Sequence, residues 1–256
     1  MARKPSNRSR IEQLTDEWEP KIKAAFFAAI TDIVSRAEIN RIVERLERGD
    51  IAGAIDAVHL DPAAFRTLDT AITQAFDAGG ASQVGALPLL RDPQGNRFVV
   101  RWDARNVRAE AWLREHSSTL VTRITEDQRA TVQQILQQGL IDGKNPRATA
   151  LDIVGRVNRA TGRRTGGIVG LSGPQSSAVD KARSALISGD PDGLRAYLAL
   201  NRRDKRFDKA VLKSLEEGRA LDKASVDQII GRYADRLLAL RGETIARTET
   251  MAALEL

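Results

Sequence analysis

The sequence predicts a mostly α-helical, multi-helix chain with at most a small β-hairpin or extended arm near residues 97–102. Three observations predict it. Aromatic residues make up 4% of the 256 residues while hydrophobics reach 42%, so Ala, Leu, Ile and Val must fill the core, a supply that suits helix packing better than a β-sandwich. Apolar residues recur at intervals of three and four along much of the chain. Helix-start chemistry, a capping side chain or a proline in the first turn, recurs through the second half.

The opening MARKPSNRSR carries Arg3, Lys4, Arg8 and Arg10 and no acid, a block that stays disordered or contacts a polyanion. Helical periodicity runs over residues 11–58, through Trp18, Ile22, Ala25, Phe26, Ala29, Ile30 and Ile33 and then Ile39, Ile42, Val43 and Leu46, with Gly49 as a stop. Asp61-Pro62 reads as a helix start, with Asp as the cap; that helix carries Phe65, Leu68, Ile72 and Phe76 and is expected to end at Gly79-Gly80. Residues 79–95 are turn-rich and form the best candidate boundary. Residues 97–102, RFVVRW, are the one convincing strand-like run. Helical spacing resumes at Val107 and reaches Ile124.

Five further helix starts follow. Thr125 with Gln128 resembles a capping box; Asn145-Pro146, Gly173-Pro174 and Asp190-Pro191 place proline at a first turn; Asp222 can cap the helix bearing Val226, Ile229, Ile230, Tyr233, Leu237 and Leu238. The expected organisation is a helical region with a basic arm over 1–80, a linker or arm with a short strand over 81–103, and a helical domain over 104–256.

Charge and motif chemistry narrow the function. Forty Lys and Arg against 34 Asp and Glu give +6, a modest excess that permits contact with nucleic acid without requiring it. There is no cysteine, hence no disulfide framework or thiolate zinc site. No run of about 18 apolar residues is present to span a membrane. Residues 161–173 are glycine-rich and basic, yet the lysine of a phosphate-binding P-loop is missing, so a loop is expected, with polyanion or partner contact as the alternative. Residues 201–207, NRRDKRF, with Lys209 and Lys213, form the densest basic cluster, read either as a solvated helix face or as a contact with a DNA backbone or an acidic partner. His59 and His116 stand alone without metal-ligand spacing, and no Ser or Thr sits in a nucleophile elbow. No enzyme, cofactor or metal site is expected.

The most specific stretch is residues 240–256, LRGETIARTETMAALEL. Read as a helix, it places Glu243 and Arg247 on one face in the favourable order, and Ile245, Glu249 and Ala252 on another. Arg247 and Glu249 point apart and cannot pair. Gly242 costs a helix about 1 kcal/mol against Ala, which points to a kink or to another backbone passing close. The segment is either a solvated salt-bridge helix or a packed one in which Glu249 meets an Arg from elsewhere; both readings are structural.

Arg241, Gly242, Glu243, Thr244, Ile245, Ala246, Arg247, Thr248 and Glu249 resemble the RxETIARTE signature of the phage head-morphogenesis, or Mu F-like minor head protein, family. A looser likeness in helix order covers residues 120–240, including a Gly-Gly-Ile-Val-Gly-Leu stretch at 166–171. The resemblance implies a minor capsid protein that assists head morphogenesis, with the portal protein and the major capsid protein as partners. It implies a place in the virion, in the head interior or near the portal, and in the host cytoplasm during assembly, with nonspecific contact to packaged DNA open to it. The family's domain continues past this signature, so the chain is expected to be a fragment or a short variant. The alternative is a general helical nucleic-acid-binding module. In either case Arg3, Lys4, Arg8, Arg10, Arg202, Arg203, Lys205 and Arg206 are the candidates for phosphate or partner contact.

Overall fold

A computed structural model describes residues 6–88, 90–103 and 107–254. Among them lie ten α-helices and two small antiparallel hairpins, the mostly helical fold that the periodicity predicts. The helices are α1 (Asn7–Arg36), α2 (Ile39–Glu47), α3 (Ile51–Asp56), α4 (Arg66–Ala86), α5 (Val107–Ile141), α6 (Pro146–Val154), α7 (Gly173–Ser188), α8 (Pro191–Leu198), α9 (Asp208–Glu217) and α10 (Lys223–Leu254). Strands β1 (Leu90–Arg91) and β2 (Arg97–Phe98) pair with Leu90 opposite Phe98. Strands β3 (Arg156–Val157) and β4 (Arg164–Thr165) pair with Arg156 opposite Thr165.

The chain divides into two compact units, each discontinuous in sequence. The first comprises Met1–Ala29, Pro62–Arg123 and Gly242–Leu256; the second comprises Ile30–Asp61 and Ile124–Arg241. Neither follows the linear division into 1–80, 81–103 and 104–256, and three of the crossing points fall inside α1, α5 and α10. Buried in the first unit are Trp18, Ile22 and Phe26 from α1 and Leu68, Ile72 and Phe76 from α4. Buried in the second are Ile33, Ile42, Leu136, Ile153, Leu186, Leu194, Tyr197 and Ile230. These are the periodic positions of the sequence, and burying each such side chain stabilises by about 1.5–3 kcal/mol before conformational entropy is counted.

Most of the helix starts use the expected chemistry. Asn145 accepts from the N–H groups of Arg147 and Ala148, Asp190 from Gly193, and Asp222 from Ser225. At α7 the cap is Ser172, one residue before Gly173, and it shares a capping box with Gln175.

Several expectations are corrected. The Thr125 start is absent, because residues 125–128 lie inside the continuous α5. Gln128 is not a capping residue there; its amide is buried and serves tertiary contacts described below. Asp61-Pro62 opens a single 3-10 turn, Pro62–Phe65, before α4 begins. Gly79-Gly80 does not end α4, which runs on to Ala86. Both glycines are buried, and they are small because neighbours sit against them: a Cβ on Gly80 would lie 2.2 Å from the Trp102 ring, and one on Gly79 would lie 3.0 Å from Leu254. The helix that Asn145-Pro146 opens is short: α6 stops at Val154, Gly155 takes φ +87, and the chain turns into β3.

Candidate functional site

The signature residues lie on α10, and the unit boundary falls between Arg241 and Gly242. In the second unit the Arg241 guanidinium, only 12% exposed, donates to Asp127 Oδ2 at 3.0 Å and to the Gly170 carbonyl at 3.1 Å. Burial pushes its pKa down, and the Asp127 carboxylate opposes that shift. The same loop is held from α5. Gln128 accepts from the Gly170 N–H at 2.6 Å and donates to the Leu171 carbonyl, and Asp127 accepts from the Gly173 N–H at 3.3 Å. Gly170 has φ +93, and a Cβ there would stand 2.6 Å from Leu238, so glycine is required twice over.

This geometry decides the glycine-rich stretch. A phosphate cradle needs free backbone N–H groups. Here Gly166 N–H goes to Asp235, Gly170 N–H to Gln128, Ser172 N–H to Gln175 and Gly173 N–H to Asp127, while Ile168, Val169 and Leu171 are buried. Most of the N–H groups of residues 166–173 are thus committed to the protein itself, and the stretch is a packed loop rather than a cradle.

In the first unit the signature meets charged and aromatic partners. Glu243 pairs with Lys23 at 2.9 Å rather than with Arg247. Arg247 is exposed and lies 3.7 Å from Glu19. Gly242 sits against aromatic rings, not another backbone: a Cβ there would come within 2.9 Å of Phe27 and 3.4 Å of Phe26. Ala246 and Thr250 are buried, Ile245 is half-buried, and Thr244 and Thr248 are exposed.

Glu249 is the buried acid that the helical faces anticipated, but its partner is a histidine. His116 Nε2 donates to Glu249 Oε2 at 2.6 Å, with the Glu249 side chain 6% exposed. The His116 ring stacks on Trp112 with centroids 4.5 Å apart, Trp112 stacks on Phe76 at 5.2 Å, and Phe76 meets Trp102 at 5.4 Å. An aromatic chain from the Trp102 arm therefore ends on the signature glutamate. In the sequence His116 stands as a lone histidine without metal-ligand spacing. Its one sequence signal is Trp112 four residues earlier, which places the two rings on one helical face.

The basic candidates fare unequally. Arg3 and Lys4 lie outside the described residues. Arg8 and Arg10 belong to α1, where Arg8 pairs with Glu12 at 2.9 Å and Arg10 bonds Asn7. In the 201–207 cluster Arg203 pairs with Asp208 at 2.9 Å, and Arg206 grips the buried Asp204 at 2.6 Å; Arg236 adds to Asp204 from α10. Arg202 and Lys205 are exposed with no carboxylate partner among the described residues. Half of that cluster is thus spent on structure.

A second ionic cluster was not anticipated. Arg183 and Arg156 each bridge Asp152 and Asp227, in four contacts of 2.6–3.1 Å. A cleft of about 580 Å³ in the first unit is lined by Phe65, Arg66, Asp69, Glu110, Arg114 and Ser117, with Ser117 donating to Asp69. No group of three His, Asp or Glu side chains converges as a metal site among the described residues. No described helix is long and apolar enough to cross a membrane. No protein-family model, no curated protein and no solved structure matches this chain.

Proposed function

We propose that the chain is a minor head protein of a phage, a structural part rather than an enzyme, which assists capsid assembly by joining the portal or the inner face of the shell. The observation that carries this reading is the 241–249 signature, whose charged members all have structural partners: Arg241 holds Asp127 and the Gly170 carbonyl, Glu243 pairs with Lys23, Arg247 with Glu19, and Glu249 with His116. Such ties give the signature a role without any chemistry to perform: it keeps α10 seated. The test is co-expression with the portal and major capsid proteins of the same genome, followed by purification of assembled heads. The chain should copurify with heads at a fixed ratio. Heads that assemble normally and exclude it would overturn the proposal.

A second reading, a general helical nucleic-acid-binding module, is favoured by Arg202 and Lys205, which have no carboxylate partner among the described residues. Salt-dependent DNA affinity without any incorporation into heads would select it.

A further inference from the structure

The longest stretch of the chain without an acidic residue lies between Asp152 and Asp180, and its basic residues all fall on one small hairpin: Arg156, Arg159, Arg163 and Arg164. Two of them are spent at its base. Arg156 bridges Asp152 and Asp227, and Arg164 donates to the Gly155 carbonyl at 3.1 Å. The hairpin is further pinned where Gly166 donates to Asp235 at 2.7 Å and packs so close to Gly231 that a Cβ on Gly166 would lie 2.5 Å from its Cα.

The tip is well ordered by its own bonds. Asn158 N–H donates to the Arg163 carbonyl at 2.8 Å, the Gly162 N–H returns to the Asn158 carbonyl at 2.8 Å, and the Asn158 side chain accepts from Ala160 N–H at 2.9 Å. What this tip presents is Arg159 and Arg163, both exposed and both without a carboxylate partner among the described residues. Around them stand Ala160, Thr161 and Gly162, all exposed and small. Arg232, 44% exposed and only 3.9 Å from Asp235, lines the cleft that Arg156 and Asn158 share.

We infer that the β3–β4 hairpin is a contact surface for the phosphodiester backbone of double-stranded DNA, with Arg159 and Arg163 as the phosphate-binding side chains. A docking surface for protein would need an apolar centre. Here Val157 is the one large apolar side chain exposed on the hairpin among the described residues, so charge without hydrophobic cover is what the surface offers. Guanidinium forks match phosphate oxygens two at a time, and a two-stranded ribbon is narrow enough to follow a groove of the duplex. Phosphate contacts carry no base information, so a backbone contact made by these two side chains is independent of sequence. The inference stands apart from the head-protein reading, and it moves the contact away from residues 202–206.

The experiment uses the full chain and a labelled 30-base-pair duplex of mixed sequence, with anisotropy read across a sodium chloride series. Three proteins are compared: the parent, R159Q/R163Q and R202Q/K205Q. Each phosphate contact adds about −0.9 to the slope of log affinity against log salt, so R159Q/R163Q should flatten the slope by about 1.8 and weaken binding roughly tenfold or more at low salt. Both arginines are exposed at a turn, and an unchanged melting curve shows that the variant is folded. An unchanged slope in folded R159Q/R163Q overturns the proposal, as does loss confined to R202Q/K205Q. A poly-glutamate probe completes the test: competition with DNA only at high excess supports a phosphate site, and equal affinity for the polypeptide would mean that the hairpin is an acidic-protein site instead.

Discussion

His116 and Glu249 meet across the first unit at 2.6 Å, joining α5 to the last turns of α10 and terminating a chain of three further aromatic rings. Truncating the acid removes this bond, takes the acceptor away from the His116 N–H and leaves a gap at a buried position. Glu249→Ala is therefore expected to lower the free energy of unfolding by about 1.5–3 kcal/mol. Glu249→Gln, whose carbonyl can still accept from His116, should lose less. Urea denaturation followed by Trp fluorescence checks both, and equal losses in the two variants would show that the bond to His116 is not what matters.

The two glycines Gly80 and Gly85 share α4 but not their surroundings. A Cβ at Gly80 would collide with the Trp102 ring at 2.2–2.4 Å, whereas at Gly85 nothing lies within 4 Å. Gly80→Ala should therefore destabilise by about 1–3 kcal/mol through overpacking. Gly85→Ala should stabilise by up to about 1 kcal/mol, because alanine loses less entropy in a helix. Thermal melts of the pair check this, and a shift of the same sign in both would refute the packing account.

The division between legible and illegible follows the range of the interactions. Periodicity located the buried faces of α1, α4 and α10, and Asn145, Asp190 and Asp222 were recognisable as caps because a cap acts within three residues of itself. Gly79-Gly80 misled, because a glycine that ends a helix and a glycine that admits Trp102 look alike until the partner is seen. Thr125 with Gln128 misled for the same reason: capping chemistry was present, but the Gln128 amide was committed to Gly170 and Leu171, more than forty residues away. The position of Glu249 on a buried face was foreseeable from spacing. Its partner was not, since nothing local links residue 249 to residue 116. The β3–β4 hairpin escaped notice because strands of two residues carry no alternation to read.

Tyr197 offers a test of a buried polar atom. The ring is buried and its hydroxyl has no partner among the described residues. Burial, with the Asp208 charge second, pushes the phenol up to about 12. A hydroxyl left without a hydrogen bond costs about 1–3 kcal/mol of desolvation, so Tyr197→Phe should be neutral or stabilising. Because the folded-state value is raised, the parent keeps its stability below the unfolded value of about 10 and loses it as pH rises toward 12. Tyr197→Phe should lose less over that interval. A marked loss of stability at neutral pH would reveal a partner for the hydroxyl.

Asp204 should govern stability at the acid end. Its side chain is 2% exposed and is gripped by Arg206 at 2.6 Å, with Arg236 at 3.4 Å and the Arg206 N–H at 3.2 Å. The bond to the Arg206 guanidinium is the largest influence and holds the carboxyl at about 2, below the value of about 3.9 for an unfolded chain. A carboxyl depressed in the folded state binds its proton more readily when unfolded. Its contribution is therefore fully present above about pH 4 and drains away as pH falls toward 2. Asp50, Asp92 and Asp222 are depressed too and act in the same direction, whereas burial raises Asp235, so its contribution is present at low pH and lost as pH rises through its folded value. The variant isolates one group from this sum. Asp204→Asn should be less stable than the parent at pH 7, because Arg206 and Arg236 lose their shared anion. The gap between the two proteins should close as pH falls from about 4 to about 2. Urea midpoints measured every half unit of pH would show the convergence, and a gap that stays constant down to the acid limit would mean that Asp204 is not the carboxylate being titrated.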